Sequence, residues 1–153
     1  MISNIITAIT AQPGRWIKAG IAATVVLTIF MEGIARIVLG GPLKPAGLIC
    51  QALGWDSSML WAGEVIHYAL GFIFFPIGYV AALAVTKKQG GVVTGMIWGV
   101  ILWLGAATVM MALAGQPLFF GFGKTMVASL VAHIAYGAVL GVLFGSAPLR
   151  TAQ

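Results

Sequence analysis

The sequence predicts an all-α fold, an integral-membrane four-helix up-down bundle forming one transmembrane domain over residues 1–153, and three observations carry that expectation. Of the 153 residues, 61% are hydrophobic and 7% charged, and the mean hydropathy of +1.07 lies well outside the range of soluble globular domains. Four segments, 17–39, 59–85, 92–114 and 125–144, match the ~20 helical residues that cross about 30 Å of hydrocarbon. The eight Lys and Arg residues sit at or near the ends of these segments, so the net charge of +5 reports topology and not a nucleic-acid surface, for which basic residues interleaved with exposed aromatics would be needed.

Each element has a local reason. Ile2, Ile5, Ile6 and Ile9 recur at helical spacing before Pro13-Gly14 breaks the pattern, which predicts a short interfacial helix ahead of the first span. That span is too long in its apolar run, and lacks the small-residue cleavage pattern, to read as a removed signal peptide. The connection after it, opening Gly-Gly-Pro-Leu-Lys-Pro, is long and predicts a further short helix over 45–53. Pro76 interrupts the second span. It cannot bond the Phe72 carbonyl and predicts a kink that neighbouring helices repair. Lys87-Lys88-Gln89-Gly90-Gly91 is a tight basic turn between the second and third spans, and 116–124 is a Gly-rich aromatic connection.

Arg15, Lys18, Lys87, Lys88 and Arg150 fall on one side of the four spans, and Arg36, Lys44 and Lys124 on or near the other. The positive-inside rule therefore puts both termini in the cytoplasm, with Trp16 at one interface and Trp55 and Trp61 at the other. The single cysteine, Cys50, excludes an intrachain disulfide and any cysteine-based zinc or iron–sulfur site within one chain.

A weak internal repeat is also visible. Gly20, Val25, Leu27 and Gly40-Gly41-Pro42-Leu43 align with Gly95, Val100, Leu102 and Gly115-Gln116-Pro117-Leu118, while His67, Ala69 and Gly71 align with His133, Ala135 and Gly137. This pattern predicts a tandem duplication of a two-helix hairpin, its halves related by a pseudo-twofold axis along the membrane normal. In an up-down bundle the second and fourth spans lie on a diagonal. His67 and His133 then lie at matching depths, about 10 and 13 Å inside the same ends of their helices, and face each other.

These two histidines are the candidate site. Each sits in a stripe of small residues at spacings of four, Gly63-His67-Gly71 and Ser129-His133-Gly137, continued by Gly141 and Gly145. Small residues at this spacing allow close helix packing; they would equally clear room for a flat macrocycle held by two axial imidazoles. On the second reading His67 and His133 ligate the iron of a b haem with Gly71 and Gly137 beside them, and Arg36 and Lys124 meet haem carboxylates, quinone oxygens or an anionic headgroup. Glu32 and Arg36 form an i,i+4 pair, and Glu64 lies one turn before His67, giving a polar cluster of Glu32, Arg36 and Glu64. Met110 and Met111 lie at similar depth on the third span; paired methionines are soft ligands for Cu(I), but in an apolar helix such side chains more often pack.

Two resemblances follow from these residues. His133, Tyr136, Gly137, Leu140 and Gly141 form an H-x-x-Y-G-x-x-L-G pattern, and with the general layout this resembles small, largely uncharacterised four-helix bacterial membrane proteins. That resemblance implies no activity. The two histidines with their glycines resemble the bis-histidine membrane cytochromes b, which implies haem between non-adjacent helices. No P-loop, HExxH, GxSxG or dinucleotide fingerprint is present, so the sequence leans away from an enzyme. The leading expectation is a small accessory or cofactor-binding subunit of an electron-transfer or other membrane complex, in contact with lipid and with other membrane subunits or copies of itself. The alternatives are a structural accessory protein without cofactor, or a small transporter or channel.

Overall fold

The fold, taken from a computed structural model, is described for residues 1–149; Arg150, counted in the charge asymmetry, lies outside the described residues. All regular structure among the described residues is helical, and four helices are long and apolar enough to cross a membrane. The first helix, α1 (Ile2–Thr10), stops before Gln12, and Pro13 opens the first long helix, α2 (Pro13–Leu39), at a position where its missing N–H is no loss. The Trp16 indole N–H bonds the Ile9 carbonyl at 3.0 Å and pins α1 to α2. A short helix, α3 (Pro45–Ala52), follows, again opened by proline.

The second long helix, α4 (Ser57–Thr86), begins with one 3₁₀ turn capped by Asp56, whose carboxylate accepts the Ser58 N–H at 2.8 Å. This bond holds the Asp56 carboxyl below its ordinary pKa. The helices α5 (Val92–Leu113) and α6 (Lys124–Phe144) complete the set. Gly40 after α2 and Gly115 after α5 both adopt left-handed φ, +77° and +66°, the geometry that ends a helix and that glycine adopts without a Cβ penalty. The internal repeat superposes these two glycines.

Three of the four long helices are interrupted by a π turn: Phe30–Ile34 in α2, Leu70–Phe74 in α4 and Ala106–Met110 in α5. In α4 the cause is Pro76. The Phe75 N–H reaches back to the Leu70 carbonyl, and the next residue has no N–H to offer, so the Gly71 carbonyl has no partner in its own helix. The expected kink is thus absorbed as a π turn.

The long helices touch in a ring: α2 packs on α4 and α6, and α5 packs on α6 and α4. Contact between α5 and α6 is the closest. A Cβ on Gly95 or Gly137 would strike the facing backbone, one on Gly99 would meet the His133 carbonyl, and one on Gly141 would meet that of Gly91. Backbones this near gain dispersion along the whole crossing, which is how small residues hold membrane helices together. By contrast α4 and α6 meet through long side chains, with Tyr79 edge-on to Phe144 at 5.6 Å and Phe75 edge-on to Tyr136 at 6.3 Å. Tyr79, Tyr136, Leu140 and Phe144 are almost fully buried and fill the half of this gap that lies toward Gly145. At that end Arg15 donates to the carbonyls of Phe144, Gly145 and Ala147 and lies 4.2 Å from the Phe144 ring centroid, tying the start of α2 to the end of α6.

Candidate cofactor site

The other half of the gap is open. A cavity of about 530 Å³, within the ordinary size range of ligand pockets, lies between the long helices and is covered by α3. His67 and His133 both line it. Each π turn contributes to its wall, through Met31, Leu70, Ala106 and Met110, so local widening of three helices coincides with the space they enclose.

His133 is oriented by its own helix. Its Nδ1 lies 2.8 Å from the Ser129 carbonyl oxygen, which can only accept, so Nδ1 carries the proton and Nε2 keeps its lone pair. Metal-ligating histidines commonly have this arrangement, because a bonded Nδ1–H fixes the ring and raises the basicity of Nε2. Ser129 lines the cavity beside it. His67, on α4, packs edge-on against Tyr68 at 5.6 Å, lines the cavity and makes no side-chain hydrogen bond among the described residues. No cluster of three His, Cys, Asp or Glu side chains exists among the described residues, so a bare metal ion would have only the two imidazoles from that set. A macrocycle that brings its own equatorial nitrogens needs only two.

The small residues around the histidines have other neighbours. A Cβ on Gly63 would meet Ala46 and Cys50 of α3, one on Gly71 would meet Thr24 of α2, and one on Gly137 would meet Gly95 of α5. None of the three lines the cavity. Their spacing of four lets α4 and α6 pack closely against several partners in turn. Arg36 and Lys124 lie outside the cavity as well. Arg36 pairs with Glu32 at 3.7 Å, both side chains more than half exposed, and Lys124 borders a separate lateral groove of about 370 Å³ with Phe30, Val38 and Val131. Glu64, half-buried on α4, joins neither. Of the expected polar cluster the structure therefore brings together Glu32 and Arg36 alone.

The cation at the cavity is Lys44, which stands at the start of α3. Beside it Gln51 and Gln116, from the two connections at this end, join by a 3.0 Å bond from the Gln116 amide to the Gln51 amide oxygen. The sequence offered Lys44 only as a flanking charge; its role depends on α3 folding back over the gap, which no residue spacing encodes.

The last-helix motif now has a physical reading. His133 faces the cavity, Tyr136 donates to the orphaned Gly71 carbonyl at 2.8 Å, Leu140 is fully buried, and Gly137 and Gly141 admit α5. Four apolar long helices around an internal, partly polar cavity define a small multi-pass membrane protein. The chain belongs to the family of unknown function DUF6789, whose family model matches residues 12–152. No curated protein and no solved structure matches the chain.

Proposed function

We propose that this chain is a small integral subunit of an electron-transfer or other membrane complex, holding a b haem between His67 and His133. Its four long helices form an up-down bundle in a bacterial inner membrane, with both termini cytoplasmic. The observation that carries the reading is that two imidazoles, from the diagonal helices α4 and α6, line one largely apolar cavity, one of them with its Nδ1–H bonded to a backbone carbonyl. His67 and His133 would hold the iron, and the Leu, Met and Phe walls would keep water from it. A haem so held supplies one-electron chemistry at the iron.

The left-handed glycines Gly40 and Gly115, together with the π turns at Phe30–Ile34 and Ala106–Met110, support a duplicated hairpin through α2 and α5, while α6 has no π turn to match the one in α4. A transporter is the weaker alternative, because Tyr79, Tyr136 and Phe144 fill the remaining half of the gap and leave no polar path. The cofactor-free accessory reading keeps one point in its favour: the glycines beside the histidines pack helices.

The test is a haem titration of the purified full chain against His67→Ala, His133→Ala and the double variant. One haem per chain is expected for the natural sequence and no six-coordinate complex for any variant, the double being no worse than the singles. Equal uptake by all four proteins would overturn the assignment.

A further inference from the structure

Lys44 is the only charged side chain lining the cavity among the described residues, and it is exposed at the end covered by α3. No Asp or Glu side chain lines the cavity to neutralise it: Glu32 is engaged by Arg36, Asp56 caps the first turn of α4, and Glu64 is not part of the cavity wall. One N–H of the Gln116 amide goes to the Gln51 amide oxygen, which leaves its second N–H and both Gln51 Nε2 hydrogens to donate. The cavity is therefore graded. A cationic, hydrogen-bond-donating mouth lies at the α3 end, leucine and methionine side chains form the walls, and two imidazoles stand within.

From this grading we infer that the mouth at Lys44, Gln51 and Gln116 is an anion subsite, which takes the carboxylate edge of the porphyrin and sets which way round it sits. The inference rests on the haem reading and moves the carboxylate partner from Arg36 and Lys124, which the structure places outside the cavity, to Lys44. An ammonium facing a carboxylate at a partly desolvated mouth gives a charge-assisted hydrogen bond, stronger than a neutral one. The same charge set over apolar walls discriminates against ligands with no anionic end.

Two porphyrins that differ only at that edge separate the possibilities: haem b and its dimethyl ester, in which both carboxylates are uncharged. Full-length protein in detergent should bind haem b about tenfold more tightly than the ester. Lys44→Gln should bring the two affinities together by weakening haem b alone, and Lys44→Arg should keep them apart. Lys44 makes no side-chain cap in α3, so Lys44→Gln is expected to fold, with circular dichroism as the check. If the natural protein binds both porphyrins equally, or Lys44→Gln keeps the full preference, the anion subsite is wrong while the imidazole site stands. If the natural protein binds neither, both readings fall.

Discussion

The Tyr136 hydroxyl donates to the Gly71 carbonyl oxygen at 2.8 Å, across the gap between α6 and α4. That carbonyl is orphaned by the π turn ahead of Pro76, so one side chain of the last span repairs a backbone fault in the second. In a membrane interior an unpaired carbonyl has no water to turn to. Tyr136→Phe should therefore lower stability by ~1–3 kcal/mol. Thermal unfolding in detergent measures it, and Pro76→Ala gives the control. With an N–H restored at position 76, Tyr136→Phe should cost less than in the natural background; an unchanged cost would show that the bond does not serve the π turn.

The α5–α6 crossing predicts opposite effects for two alanine substitutions. Gly95→Ala drives a methyl into the Gly137 carbonyl and the Gly141 backbone, and should separate the helices with a large loss of stability. Gly105, on the same helix, has nothing within reach of an added Cβ, so Gly105→Ala should be neutral or stabilising by up to about 1 kcal/mol. Melting temperatures of the two variants, compared side by side, decide the matter.

Arg15 joins the ends of two helices with a planar fork that reaches several carbonyls and stacks on Phe144. Lysine carries the same charge without the fork. Arg15→Lys should accordingly behave like Arg15→Gln, both making the segment after Phe144 more open to protease. Full protection in Arg15→Lys would mean that charge alone suffices.

The proposed orientation is testable by thiol labelling, but not at Cys50, which is buried with its Sγ 3.4 Å from the Met59 carbonyl. In a Cys50→Ser background, a cysteine replacing the exposed Ser57 should react with an impermeant reagent from outside the cell, and one replacing Gln89 only after permeabilisation. The converse pattern would invert the protein in the membrane and move the cavity mouth to the cytoplasmic side.

The four spans were legible because a membrane requires about 20 consecutive apolar residues, a signal that survives any detail of packing. Proline and glycine likewise marked the starts of α2 and α3 and the ends of α2 and α5. The cavity was only half legible. Helical spacing found His67 and His133, whereas the neighbours of Gly71 and Gly137 depend on which helices lie beside α4 and α6, a property of lateral order that spacing along one helix does not carry. Lys44 was hidden for a related reason: its place at the mouth follows from the fold of the connection from Gly40 to Asp56 against the ends of the spans. The π turns had one visible cause, Pro76, and no sequence mark in α2 or α5.

Whether the two imidazoles share one iron can be read from the visible absorption spectrum of the full chain, purified with ample haem and reduced with dithionite. The expected result is a low-spin, six-coordinate spectrum, lost equally in His67→Ala and His133→Ala while circular dichroism remains that of the folded protein. A folded protein that stays colourless, or a spectrum that survives either substitution, would rule out a shared iron and leave the histidines a packing role.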